Sequence, residues 1–262
     1  MVQHLVERIR PTWVFHLAGL SSPAASWADP AGTIATNATL QANLLSALVT
    51  LDPMPRVLVV GSGDEYGRPA GRKSRLSEET PLRPISPYGV SKVTQDLLGL
   101  QFFLSRSLPV IRVRPFNHAG PRQQPEFAIA SFAQQIARIE LGKQSATLRV
   151  GNLEARRDFT DVRDVVKAYL LAMEKGKPGE VYNIGSGTAP KLREVLRLLL
   201  KMTGVKVAIE VDESRKRTAE ADVYLCDSRR FRRLTGWRPV ISFQRTLRDT
   251  LEYWRRCERA EG

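Results

Sequence analysis

The chain has 262 residues, 42% of them apolar and 26% charged, with a formal net charge of +13. That length suits one large α/β domain or two lobes sharing a core, and no apolar run approaches the roughly 18 residues of a membrane span. The positive balance reads either as the mark of an anionic partner or as an arginine-rich solvated surface, and neither aromatic interleaving nor a helix-turn-helix or zinc pattern supports nucleic acid.

In chain order, the opening residues carry Glu7, Arg8 and Arg10 and no apolar core of a secretory signal. PTWVFHLAG follows, and residues 13–18 form an apolar run too short for a helix, which predicts a strand buried on both faces of a parallel sheet. Residues 33–49 carry Ile34, Leu40, Leu44, Leu45 and Leu48 at helical spacing. Residues 56–62, RVLVVGS, predict a second buried strand. Residues 90–105 predict a helix with Val93, Leu97, Leu100 and Leu104 on one stripe. Residues 110–116, VIRVRPF, predict a third strand. This βαβαβ run implies a doubly wound parallel sheet.

The second half predicts helices at 129–141, 192–202 and 244–256, and strands at 148–152, 180–187 and 205–211. Asp161 reads as an N-cap, with Asp164 closing the capping pair, for a helix that stops at Gly176. Cys226 and Cys257 lack metal-ligand spacing and point to a reducing compartment, the cytoplasm. His16 reads as a packed strand residue and Asn183 as a turn cap. No carboxylate cluster accompanies the histidines, so no metal is expected. Arg229, Arg230, Arg232 and Arg233 read as a solvated charge run.

Residues 86–92, SPYGVSK, carry the strongest local chemistry. Tyr88 and Lys92 stand at i and i+4, on one helix face. An ammonium beside a phenol favours the phenolate, so the pair predicts a Tyr88 pKa below its free value of about 10 and a general acid or base near neutral pH. The bland alternative is a surface pair. Upstream, GSGDEYG ends a buried strand and puts Ser62 where open α/β sheets bind ligands. A serine there can hydrogen-bond the oxygen that Tyr88 protonates, or it can simply be a turn residue.

Six ordered stretches, HLAG, GSGDEYG, SPYGVSK, RPFNHAGP, RRDFTDVRD and NIGSG, resemble the extended short-chain dehydrogenase/reductase family of nucleotide-sugar epimerases, dehydratases and reductases. VGNLEARRDFTDVRD and FNHAGP are most similar to the branch acting on GDP-linked 4-keto-6-deoxymannose, which includes GDP-mannose 4,6-dehydratases and reductases forming GDP-6-deoxymannose (GDP-rhamnose). The resemblance implies an α/β fold with a partial Rossmann sheet at 1–120 and a nucleotide-sugar lobe at 121–262, with strands crossing between them. It makes residues 13–18 the fourth strand of the family's sheet. No Gly-x-x-Gly-x-x-Gly turn occurs in the chain. The GSG triplets at 61–63 and 185–187 do not replace it, nor does Asp29 replace the acidic residue of the second strand. The expectation is an N-terminally truncated chain whose first strand has become an apolar sheet edge. The rival expectation is a short protein that borrows the missing unit from another chain.

The resemblance assigns catalysis to Ser62, Tyr88 and Lys92, with Asp64 as a further candidate. It assigns NADP, or NAD, to Leu17, Ala18, Ser62, Tyr88, Lys92, Pro115 and His118. It assigns the GDP-sugar to Asn117, Asn152, Arg157, Arg217 and Glu220. Gln134 and Thr218 depart from lysine and proline in near relatives, which predicts weaker diphosphate contacts. Helices 33–49 and 91–107 would pair across a two-fold axis as a homodimer. Dehydratases of the family carry Thr-Asp-Glu or Thr-Ser-Glu where this chain has Ser62-Gly63-Asp64. Asp64 is one methylene short, and a displacement of about 1 Å can cost about a hundredfold in rate. The triplet therefore leans towards reduction of the C4 ketone. A dehydratase, and a nucleotide-sugar-binding fragment without catalysis, remain the alternatives.

Overall fold

The computed structural model describes residues 2–68, 75–213 and 223–260. Arg217, Thr218 and Glu220 lie outside the described residues. The first half alternates α1 (Val2–Ile9), β1 (Trp13–His16), α2 (Pro30–Leu48), β2 (Arg56–Val60), α3 (Pro87–Arg106) and β3 (Val110–Pro115). Then come β4 (His118–Ala119), α4 (Ala128–Glu140), β5 (Thr147–Val150), β6 (Arg156–Arg157), β7 (Thr160–Asp161) and α5 (Val162–Lys175). The remainder is β8 (Val181–Ile184), α6 (Leu192–Leu200), β9 (Ala208–Val211), β10 (Val223–Tyr224), α7 (Arg229–Thr235) and α8 (Phe243–Ala260).

The main sheet is parallel, in the order β1-β2-β3-β8. Successive side chains of a strand face opposite ways. Val57 and Val59 of β2 therefore pack with Val110 beneath α2, while Leu58 packs with Ile111 and Val113 beneath α5. Both faces are covered, as an all-parallel sheet requires. β8 comes from the second half of the sequence, so a cut after residue 120 divides one sheet. A separate core joins α4, α6 and α8 to β5, around Phe132, Ile136, Leu196 and Leu251.

Several expectations need correction. β1 is not buried on both faces: it is the edge of the sheet, Trp13 is 41% exposed, and only His16 of its four residues is buried. No other strand among the described residues pairs with its outer side. Sequence patterning also misses two helices. In α1, the amphipathic face buries Val6 alone, and charged neighbours mask it. In α7, RRFRRLT, one apolar residue does the anchoring: Phe231 is fully buried against Tyr182 and Trp237. Asp161 caps α5, accepting from the Arg163 N–H at 2.9 Å. Asp164 does not close that cap; its carboxylate accepts from the N–H groups of Val240 and Ile241, both at 2.9 Å, and ties α5 to the approach of α8. Asn183 is no turn cap. It lies buried within β8, where its side-chain oxygen accepts from the Tyr66 hydroxyl at 2.7 Å.

An apolar parallel edge is a template for pairing with another chain. Trp13→Lys is expected to lower self-association in light scattering while leaving the circular dichroism spectrum intact. Unchanged scattering would locate the sticky surface elsewhere.

Candidate active site

The carboxyl ends of β1, β2 and β3 open on one cavity of about 960 Å³. Leu17, Ser62, Asp64, Tyr88, Lys92, Pro115, Asn117, His118, Asn152 and Arg157 all line it, so most of the predicted site residues are brought together. Ala18 stands outside the lining, in the exposed loop after β1.

Local sequence fixes the catalytic helix. Ser86 is the N-cap of α3, accepting from the Gly89 N–H at 3.0 Å, and Pro87 supplies a first position that needs no donor. The Tyr88 N–H donates to the Ser26 hydroxyl at 3.2 Å, so the turn after β1 also holds the helix start. Gly89 lets the turn after β2 come close: a Cβ there would stand 2.9 Å from the Asp64 carbonyl oxygen. One turn further on, Lys92 Nζ donates to the Val60 carbonyl and to Gln95 Oε1, each at 2.9 Å. It sits 5.9 Å from the centre of the Tyr88 ring.

This geometry reverses the expected titration of Tyr88. Its pKa is raised above that of a free phenol, first by burial and then by the Asp64 carboxylate, with the Ser62 hydroxyl offsetting part of the rise. The ammonium gives its hydrogen bonds to the Val60 carbonyl and Gln95 rather than to the phenol. Lys92 is itself desolvated, and burial lowers its pKa to about 8 against an opposing pull from Glu65. Burial, and then the nearby Lys92 charge, lower His16 to about 4. His118 is also shifted down by burial, with its Nδ1 3.2 Å from the Phe116 carbonyl oxygen.

On the opposite wall, Asn117 opens on the cavity while its carbonyl accepts from the Thr160 N–H at 3.0 Å. Arg157 is buried beneath the cavity and donates from Nη1 to the Arg156 carbonyl at 2.8 Å. The Asn152 side chain accepts from the Glu154 N–H at 2.9 Å. Gln134 corrects an expectation: it is not part of the lining, and it donates to Glu258 Oε1 of α8 at 3.0 Å. Its neutrality therefore removes no charge from this cavity. Two features were missed. Residues 120–127, GPRQQPEF, form a rim with no periodicity to betray it. Tyr169 of α5 is a buried phenol in the wall, and its sequence position reads as ordinary helix core.

A parallel sheet with a Tyr–Lys helix and a serine converging at its carboxyl edge defines a Rossmann-like protein of the short-chain dehydrogenase/reductase type. A family model described as GDP-mannose 4,6 dehydratase matches residues 1–250, and the chain belongs to that family. It is 39% identical over 251 residues to GDP-6-deoxy-D-mannose reductase of Pseudomonas aeruginosa, covering 96% of this chain and 83% of that protein. It is 28% identical over 249 residues to GDP-mannose 4,6 dehydratase 2 of Arabidopsis thaliana, covering 93% of this chain and 65% of that protein. Among solved structures, RMD from Pseudomonas aeruginosa complexed with NADPH superimposes with a TM-score of 0.89 at 38% identity, covering 94% of this chain and 82% of that one.

His16 gives a pH signature. The folded imidazole titrates at about 4 against a reference of 6.5, so between those values the unfolded chain binds more protons. Stability from this group is present above the upper value and is lost as pH falls through the window. His16→Gln is expected to shrink the loss of urea midpoint between pH ~7 and ~5. An identical loss in both proteins would assign the acid sensitivity to other groups.

Proposed function

We propose that this site reduces the C4 ketone of GDP-4-keto-6-deoxymannose to GDP-6-deoxymannose with NADPH. Tyr88 carries the reading: its buried phenol holds its proton through neutral pH, the state required of an acid that protonates a carbonyl oxygen. The substrate class is supported by the likeness to the Pseudomonas aeruginosa reductase, and the cofactor by the NADPH complex of the structural relative.

The nicotinamide end of the cofactor fits the residues present. An ammonium has three donors, and Lys92 spends two on Val60 and Gln95, leaving one for a ribose hydroxyl beside Tyr88. Leu17, Pro115 and His118 would flank it. Bound NADPH would supply the hydride that reaches C4. Ser62 orients the ketone by donating to its oxygen, and Tyr88 passes its proton to that oxygen as the C=O becomes CH–OH. Proton balance is restored from solvent to Tyr88. Arg157 and Asn117 would hold the diphosphate, for which a planar guanidinium is suited, and Asn152 would flank the guanine. Arg217 and Glu220 would complete the nucleotide contacts.

Residues 1–120 are read as the cofactor part and 121–262 as the nucleotide-sugar part, with α5 and β8 crossing back. A homodimer is part of the proposal, formed through the outer faces of α2 and α3, where Leu40, Leu97 and Leu104 are exposed. So is a cytoplasmic location, which suits the two free thiols. The dehydratase reading keeps one specific support, the Asp64 carboxylate in the cavity.

Tyr88→Phe is expected to lower NADPH-dependent reduction by about 10²–10⁴-fold with little change in substrate KM. Asp64→Ala separates the two chemistries. It should affect ketone reduction far less than Tyr88→Phe does, whereas loss of product from GDP-mannose in that variant would establish the dehydratase.

A further inference from the structure

Behind the catalytic groups lies a buried ionic cluster that the reduction chemistry does not use. Glu65, Asp96, Arg112 and Arg114 are all more than nine-tenths buried. Asp96 sits one turn beyond Lys92 on α3. Its carboxylate pairs with Arg112 at 2.7 Å, and it accepts from Arg114 Nε at 2.8 Å. Arg114 Nε also lies 2.9 Å from Glu65 Oε2, at an angle that makes it an ion contact rather than a hydrogen bond. The other Glu65 oxygen accepts from the Ser62 N–H at 2.7 Å. The chain of contacts thus runs from the serine turn, through Glu65, Arg114 and Asp96, to the helix that bears Tyr88 and Lys92.

Lys92 makes the arrangement more than a brace. Both of its hydrogen-bond acceptors are neutral, and no carboxylate forms an ion pair with it among the described residues. The Glu65 carboxylate folds back over the strand end that carries one of those acceptors. A Cβ on Gly61, next to Val60, would fall 2.1 Å from Glu65 Oε1. Only glycine leaves room for that carboxylate.

We propose that Glu65 is a positioning residue that locks the Ser62 turn to the Tyr88–Lys92 helix through Arg114 and Asp96, and that its carboxylate compensates the buried Lys92 ammonium. The inference rests on the reading of Ser62, Tyr88 and Lys92 as the catalytic groups. Charge balance favours the ionised form of Glu65. With Arg112, Arg114 and Lys92 positive and Asp96 negative, protonating Glu65 would leave two uncompensated charges in the interior. Against that, burial first and then the Asp96 carboxylate raise the Glu65 pKa well above the usual carboxylate range, with Arg114 and the Ser62 N–H offsetting part of the rise. Besides Glu65, Lys92 faces Tyr88 on its own helix and His16 from β1; Asp64 and Tyr169 act on Tyr88, and Asp96, Arg112 and Arg114 complete the ionic cluster behind it. From α2 come only the neutral Asn37 and Gln41. His16 is uncharged at neutral pH.

The test reads Lys92 directly on the free chain. The rate of acetylation of Lys92 by acetic anhydride is followed against pH by mass spectrometry of the peptide that contains it. The wild-type midpoint is expected at about 8. Glu65→Gln should lower that midpoint by roughly one pH unit, and Glu65→Asp, which keeps the charge, should restore most of it. A midpoint in Glu65→Gln equal to wild type overturns the proposal. If Glu65→Gln does not fold, the double variant Glu65→Gln/Arg114→Met is read against Arg114→Met, which holds the lost guanidinium constant, and a midpoint equal to that of Arg114→Met overturns the proposal. Because the titration needs neither cofactor nor sugar, a shifted midpoint in a chain that fails to reduce the ketone would support this role of Glu65 while overturning the substrate assignment.

Discussion

The site depends on the burial of one ammonium at the carboxyl end of a parallel strand. A buried charge is costly unless hydrogen bonds and opposite charge replace its water. The hydrogen bonds of Lys92 therefore have to be fixed by the fold. One comes from the Val60 carbonyl, which sets how closely α3 approaches β2. The other comes from Gln95, which is itself held by donating to the Asn37 carbonyl at 3.0 Å. α2 must then present Asn37 and Gln41 to α3, and both are fully buried against the polar stripe of Ser91, Lys92 and Gln95. Asn37 is held by Ser91 and the Leu20 carbonyl, and the Gln41 amide donates to the Gln95 carbonyl, while the Gln41 side-chain oxygen is left without a partner.

This constraint decides which proton chemistry the tyrosine favours. An i, i+4 spacing places a lysine and a tyrosine on one face, but the field that the phenol feels depends on where the ammonium points. Here it points at a strand carbonyl, while the Asp64 and Glu65 carboxylates act on the phenol and raise its pKa. The phenol is thus poised to give a proton rather than to take one. Reduction of a ketone needs a donor at the start of its cycle. A dehydratase must first oxidise C4 to acidify the C5 proton, and that step requires a base. A protonated Tyr88 is the state that the proposed reduction needs at its first step.

What was legible in the sequence follows from how locally each feature is encoded. The alternation of buried strands with helices, the Ser86–Pro87 entry into α3 and the convergence of Ser62, Tyr88 and Lys92 are all written in short stretches with strong propensities. The ionic cluster is not. Glu65, Asp96, Arg112 and Arg114 lie on three separate elements, and each alone reads as surface charge. The two arginines even alternate along β3 as outward-facing residues would, yet β3 is buried throughout. α7 was hidden in the same way, because a single buried phenylalanine among four arginines carries no periodic signal. β1 failed in the opposite direction: its composition is that of an interior strand, while its place in the sheet is the edge.

The charge excess resolves on the same terms. Much of the arginine that gives the chain its basic balance is consumed locally. Arg229 pairs with Asp227 at 2.6 Å, Arg163 reaches Asp161 and Asp249, and Arg255 joins Glu140 to Glu252. Arg232 donates to the carbonyls of Gly185 and Ser186 and closes the turn after β8. These arginines act as ties between segments, the use to which a five-donor fork is suited. Arg122, Arg149 and Arg157 line the cavity, where Arg149 also stands 3.7 Å from Glu210 and Arg157 donates to the Arg156 carbonyl. With Lys92 they outnumber Asp64 and Glu126 in the lining, and it is this positive wall that would steer an anionic nucleotide.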